Sequence, residues 1–211
     1  MEIDKIEKNK NRIIGKKVEY FKQIESTHTY AKTIANIKTN NGKIIIAENQ
    51  TKGQGTKGAN WHTGKEKNIA ITIILNNKLH LENIQGITIK IAEIMKNVIK
   101  KLYNINLKIK KPNDLMLNNK KICGILTEIS TIGEKINYML ISLGFNVNEE
   151  KFPEEIENIA TSLKKEYNKE FKREDIIITF IEDLEMSICP FVDRYHVHSG
   201  TGTKWTKCKK K

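Results

Sequence analysis

The sequence predicts an α+β domain, a mostly antiparallel mixed sheet with helices packed on one side. Three features predict it. Short isoleucine-rich runs at residues 43–47 and 68–75 have the bounded, β-branched pattern of buried strands. Ile84, Ile87, Ile91, Met95, Val98 and Leu102 recur at three- and four-residue steps through residues 83–103, the period of a helix laid on a core. Asn118-Asn119 separates two further strand-like runs, and asparagine tolerates the positive φ of a tight hairpin. Hairpin-built strands with helices on one face make this fold class.

The remaining elements follow in order. Residues 1–15 have room for a short helix but not for a DNA-binding helix-turn-helix. Residues 17–24 read as a strand. Ser26 then caps a helix to about residue 38, with Ala31, Ile34, Ala35 and Ile37 on its apolar side. Asn41-Gly42 is a turn signal. A strand is expected near residues 106–110, paired strands at 121–130 and 135–147, a loop and short helix over 154–167, and a helix over 174–185.

Bulk composition narrows the function classes. The chain has 211 residues, 38% hydrophobic and 29% charged, which fits one sizeable core. No apolar run approaches the ~20 residues of a membrane helix, and the charged N-terminus is no signal peptide. Three cysteines make no disulfide framework, so the expected location is the cytoplasm, with no membrane partner. The net charge of +12 is spread along the whole chain, a compositional bias rather than a DNA-binding patch. A basic chain still attracts a nucleotide or an acidic protein.

Residues 186–211 break the pattern. The first 185 residues hold 34 isoleucines and 22 asparagines, whereas the last 26 hold one and none. Cys189, His196, His198 and Cys208 match no common zinc spacing. The expectation is a domain over residues 1–185 and an atypical tail, disordered or altered in reading frame, over 186–211.

The chemistry gathers in a few segments. ENQTKGQGTKGANWHTG, residues 48–64, carries four of the 12 glycines together with Lys52, Lys57 and Trp61. Glycines let backbone approach a ligand, and amides and lysines meet anions. GQGTKG leads to a tryptophan and a strand rather than into a helix, so it is not a dinucleotide fingerprint. Lys110-Lys111-Pro112-Asn113-Asp114 fixes polar groups at a strand end. Lys121 follows one hairpin later with Gly124 leaving space beside it, and Gly144-Phe145-Asn146-Val147-Asn148 ends the next strand with two amides. Singly, each reads better as a solvated lysine, a hairpin lysine or a turn asparagine than as a functional group. Together they suggest one cleft with cations for phosphate, amides for a polar head group and a carboxylate for magnesium.

From about Val18 to Glu185 the sequence resembles the biotin–protein ligases. Ser26-Thr27 resembles the family's Ser-Thr-Asn, and Gln50-Thr51 with residues 53–58 and Trp61 its glycine-rich loop. Lys110 with Pro112-Asn113-Asp114 resembles Lys-Trp-Pro-Asn-Asp. Lys121-Ile122-Cys123-Gly124-Ile125-Leu126-Thr127-Glu128 resembles its lysine–glycine–glutamate strand. Gly144-Phe145-Asn146-Val147-Asn148 resembles Gly-Ile-Asn-x-Asn, and Ala160-Thr161-Ser162-Leu163 a frequent later segment. The similarity lies in several motifs in one order.

The resemblance implies a class II synthetase-like fold and a two-step ligase. Biotin's carboxylate attacks the α-phosphate of MgATP, and a lysine of a carboxylase's biotin carrier domain then attacks the biotinyl-5′-AMP. It implies catalytic roles for Lys121, Asp114 and Asn113. Biotin contacts fall to Ser26, Thr27, His28, Gln50, Gly53, Gly55, Thr56, Lys57, Gly58, Lys121 and Gly124. Nucleotide contacts fall to Lys57, Trp61, Lys110, Asn113, Lys121 and Asn146, with Asp114 toward Mg. Homodimers are common in the family; DNA is not an expected partner, since the repressor's N-terminal domain is absent from this sequence. The departures are informative. The family's arginine-rich loop reads Gly53-Gln54-Gly55-Thr56-Lys57-Gly58-Ala59 here, which predicts a leakier adenylate. His28 stands in place of the usual asparagine and Lys111 in place of the usual tryptophan, and the odd tail takes the place of a small C-terminal β-barrel domain. Alternatives are a lipoate–protein ligase and a truncated module that binds biotin without turnover.

Overall fold

A computed structural model describes residues 1–7, 12–76 and 84–188. The tail, with the cysteines and histidines weighed above for zinc, lies outside the described residues beyond position 188, as does the start of the long helix at Asn83.

Among the described residues seven strands form one sheet: β1 Val18–Phe21, β2 Ile44–Ala47, β3 Ile69–Leu75, β4 Lys108–Lys110, β5 Asp114–Leu117, β6 Lys120–Ile132 and β7 Lys135–Phe145. Their spatial order is β1-β2-β3-β7-β6-β5-β4. Only β1 and β2 are parallel; every other pairing is antiparallel. The helices are α1 Ile3–Glu7, α2 Thr27–Ile34, α3 Ile87–Tyr103, α4 Leu163–Tyr167 and α5 Arg173–Ile188.

The long helices α3 and α5 cover one face, where Ile91, Met95 and Val98 meet Phe180, Ile181 and Leu184 over the inward isoleucines of β2, β3 and β7. This is the side the isoleucine stripe predicts. Among the described residues the opposite face takes only α2, whose Ala31 and Ala35 pack on Ile45, Ile74, Tyr138 and Leu140. Leaving that face partly open is what creates room for a site.

Local chemistry explains the element ends. Ser26 caps α2, its Oγ accepting from Thr29 N at 3.3 Å. The helix stops at Ile34, earlier than the expected residue 38, because side-chain amides intercept its carbonyls. Asn40 Nδ2 donates to Ile34 O at 3.0 Å, and Asn76 Nδ2 donates to the carbonyls of Ala35 and Ile37 at 2.6 and 2.8 Å. A 3-10 turn over Lys38–Asn40 follows. Asn118 and Asn119 both adopt positive φ, 49° and 63°, in the β5–β6 turn, as a two-residue hairpin requires.

Candidate active site

The open face is built in three cross-strand rows. Ala70, Gly144, Gly124 and Asp114 are successive partners across β3, β7, β6 and β5. The next row holds Thr72, Ser142 and Leu126, and the one after it Ile74, Leu140 and Glu128. Side chains on one face recur every second residue, so the rows run from small, through polar, to apolar and charged.

The small row seats the loop. Trp61 lies across Gly144 and Gly124, where a Cβ on Gly144 would collide with the indole and one on Gly124 would stand 2.9 Å from Cζ3. Trp61 N donates to Gly53 O at 2.8 Å, and a Cβ on Gly53 would strike the Trp61 carbonyl. Trp61 therefore braces the glycine loop against the sheet. Its indole Nε1 is buried without a hydrogen-bond partner among the described residues. Gly58 ends a 3-10 turn over Thr56–Gly58 with φ +77°, a conformation that favours glycine.

Both ends of the loop are pinned by buried carboxylates that sequence reasoning did not single out. Glu48, only 2% exposed, binds Arg173 of α5 at 2.5 Å and accepts from Tyr20 Oη at 3.1 Å. Burial pushes the Glu48 carboxyl up, but the Arg173 guanidinium outweighs this and holds it below the usual carboxylate range. At the far end Glu149 fills the space beside Gly64, with Lys67 at 3.3 Å and Asn68 at 3.4 Å. A charged residue next to a glycine loop was the available signal, but its partner lies 125 residues away.

The polar row meets the start of α2. Gln50 Oε1 accepts from Thr27 N at 2.8 Å and from Thr27 Oγ1 at 3.0 Å. Thr72 Oγ1 lies 3.0 Å from Thr27 Oγ1 and 2.8 Å from Ser142 Oγ. His28 Nδ1 lies 2.8 Å from Ser142 Oγ, and its Nε2 lies 3.1 Å from Glu128 Oε2. Thr72 and Ser142 were also missed; the signal was a hydroxyl at an inward position of an otherwise apolar strand.

Lys121 and Asp114 form the charged end. Lys121 Nζ is 2.7 Å from Asp114 Oδ1 and 5.5 Å from the Trp61 ring centre. A Cβ on Gly124 would come within 3.3 Å of Lys121 Cε, so the glycine does keep space for this lysine. Asn113 Nδ2 reaches Ile125 O at 3.2 Å and Thr56 Oγ1 at 3.4 Å, linking β6 to the loop. Burial pushes the neighbouring Cys123 thiol up, which makes it an inert packing residue.

These groups share one cleft that opens to solvent. Ser26, Thr27, His28, Gln50, Gly55, Thr56, Trp61, Asn113, Lys121 and Gly124 all line it, joined by Gln54, Leu126 and Ser142. Asp114 adjoins it through Lys121, and Gly53 through Gln50 and Trp61. Lys57 and Gly58 belong to the loop turn. Two expected nucleotide contacts stand outside the lining. Lys110 is exposed on β4. Asn146 is buried behind Lys121, its N donating to Ile122 O at 2.8 Å and its Nδ2 to Thr161 O at 3.1 Å. Among the described residues no three His, Cys, Asp or Glu side chains converge as a metal site, and no helix is long and apolar enough to cross a membrane.

Comparison with known proteins agrees with this architecture. Residues 20–146 match the model of the biotin/lipoate A/B protein ligase family. The bifunctional ligase/repressor BirA of Bacillus spizizenii is 31% identical over 170 residues, 80% of this chain and 52% of its own length. The biotin–protein ligase of Homo sapiens is 31% identical over 75% of this chain and 24% of its own. The chain thus spans about half the length, or less, of these curated relatives. Among solved structures, the biotin protein ligase of Aquifex aeolicus in complex with biotin and ATP superposes with a TM-score of 0.72 at 24% identity, covering 83% of this chain and 72% of that one. That likeness establishes the fold: the mixed sheet is that of a biotin protein ligase catalytic domain. The chain belongs to the biotin/lipoate A/B protein ligase family.

Proposed function

We propose that the protein activates biotin with ATP and transfers it to a lysine of a biotin carrier domain. The observation that carries this reading is a single cleft lined both by a head-group set, Ser26, Thr27 and Gln50, and by an anion set, Lys121, Asn113 and the glycine loop. Relatives named as biotin–protein ligases support the same assignment.

In the first step a biotin carboxylate oxygen bonds to the α-phosphorus while the bridge to the β-phosphate breaks, and pyrophosphate leaves with the electron pair. Two anions must be held in line. Good alignment contributes roughly 7–11 kcal/mol. Lys121 leaves Asp114 to lie between carboxylate and α-phosphate, where a well-placed charge contributes ~3–4 kcal/mol. Asp114 would hold a Mg²⁺ accompanying the nucleotide, and the ion would supply charge that screens the phosphates. The loop then folds over the adenylate on its Trp61 brace and excludes water. In the second step the carrier lysine's neutral amine attacks the mixed anhydride carbonyl, AMP leaves, and the nitrogen loses a proton; Asp114 orients that amine.

Biotin-dependent ATP–pyrophosphate exchange tests the reading. We expect exchange with biotin, none with lipoate, and a mass increase on a carrier domain in the complete mixture. Exchange supported by lipoate and not by biotin would overturn it, and so would biotin binding without release of pyrophosphate.

A further inference from the structure

The polar row beneath α2 has a proton count that fixes the state of His28. Five contacts run in sequence: Glu128 to His28 Nε2, His28 Nδ1 to Ser142, Ser142 to Thr72, Thr72 to Thr27, and Thr27 to Gln50. Each needs one proton between its two atoms. The Gln50 end supplies none, because its oxygen also accepts from the backbone N–H of Thr27, which only an oxygen can do. The Glu128 end supplies none either. Burial pushes that carboxyl up, but the Lys32 ammonium at 2.8 Å leads the contacts that hold it below the usual carboxylate range. The three hydroxyls supply three protons. The ring must supply the other two.

We propose that His28 is a positioning residue: doubly protonated and paired with Glu128, it sets a one-way row of hydroxyl protons that makes the cleft end an acceptor. His28 donates to Ser142, Ser142 to Thr72, Thr72 to Thr27, and Thr27 to Gln50. Thr27 has then spent its single proton and offers the cleft only a lone pair. Gln50 offers its carbonyl oxygen beside it. Such a pair takes a head group that presents N–H, as a cyclic urea does and a cyclic disulfide does not. A ring with one proton, kept on Glu128, turns the Ser142 proton toward Nδ1. Thr72 then cannot serve both Ser142 and Thr27, and one contact in a row whose hydroxyl residues are all buried goes unmade. The charged and titratable groups facing His28 are Lys32 from its own helix, Glu128 from β6 and Tyr138 from β7, which neighbours Lys32.

The assignment refines the biotin reading above and rests on it for the ligand, but not for the state of the ring. The first measurement therefore uses ligand-free protein. Imidazole nitrogen NMR at pH 7, with His28 picked out of the five histidines by the spectrum of His28→Gln, should show protons on both ring nitrogens. A singly protonated ring overturns the proposal whatever the protein binds. The second is the biotin dissociation constant measured by calorimetry from pH 6 to pH 9. Wild type should weaken roughly fivefold, the worth of about one hydrogen bond, across whatever pH step the nitrogen spectrum records as loss of a ring proton. Folded His28→Gln and Ser142→Ala should be flat over the same range. A wild-type affinity that stays flat while the nitrogen spectrum shows a ring proton lost overturns the proposal. Absence of biotin binding at every pH would instead sink the functional reading and leave the ring measurement to decide this one.

Discussion

Replacing Gly144 with alanine perturbs the seat of the loop, since the atoms nearest an added Cβ all belong to Trp61. Gly144 pairs with Gly124 across β7 and β6, and the indole of Trp61 lies on both. An added Cβ would overlap Cε2 and Nε1 of the ring and stand only 2.7 Å from Cζ2. Comfortable carbon contacts lie near 3.5–4.0 Å, so the ring must retreat by roughly an ångström or leave. The sheet cannot give way, because Gly144 is held between two long antiparallel partners. Overpacking of this kind costs ~1–3 kcal/mol. If Trp61 leaves, its hydrogen bond to Gly53 O goes too, worth about 1 kcal/mol. That strain falls on a loop that must fold over ligand, so we expect biotin affinity to drop roughly 5- to 150-fold, the equivalent of 1–3 kcal/mol. Gly124→Ala, with its nearest ring atom at 2.9 Å, should show the same effect more weakly. Tryptophan fluorescence in a Trp205→Phe background reports the indole's surroundings, and calorimetry reports affinity. Wild-type emission and affinity in Gly144→Ala would refute the claim that Trp61 braces the loop on this glycine pair.

Three further outcomes follow from the geometry. Arg173→Met leaves buried Glu48 with the Met1 ammonium at 3.2 Å and the Tyr20 hydroxyl at 3.1 Å, so the chain should lose ~1–3 kcal/mol in urea unfolding; a loss below about 0.5 kcal/mol would show the guanidinium to be dispensable. Because Glu48 is held below its ordinary value of 4.5, its contribution should be fully present above that pH and disappear as the pH falls further; an unfolding free energy in Arg173→Met with the wild-type acid dependence would contradict this. Thr56→Arg adds a cation to a loop stretch whose only one is Lys57 and should slow release of biotinyl-5′-AMP by roughly three- to tenfold in a filter-binding chase, whereas equal release rates would show that loop charge does not retain the adenylate.

Much of the fold was legible because its signals are local. The isoleucine stripe of α3 and the runs of β2 and β3 carry their period in consecutive residues, and Asn118-Asn119 carries its own turn. The site was legible as separate motifs that together suggested one cleft, and the resemblance gave each a role. Convergence depends on register: Gly124 faces Gly144 because β6 and β7 pair as they do, and no local pattern states that pairing. For the same reason Thr72, Ser142 and Glu48 escaped notice, since each matters through a partner far away in sequence. The premature end of α2 was hidden in Asn40 and Asn76, whose amides act on carbonyls of another element. Asn146, expected at the nucleotide, sits behind Lys121 and holds the backbone there.

Formation of biotinyl-5′-AMP in a single turnover, by the full chain with biotin and MgATP, tests the central claim most directly when wild type and Lys121→Ala are compared. Lys121 is the cation that the cleft places beside Asp114 and Trp61. The account predicts adenylate from wild type and a rate lower by at least about a hundredfold in the variant, matching the ~3–4 kcal/mol assigned to that charge, with the variant still folded. Adenylate formed at the wild-type rate without the Lys121 ammonium would contradict it.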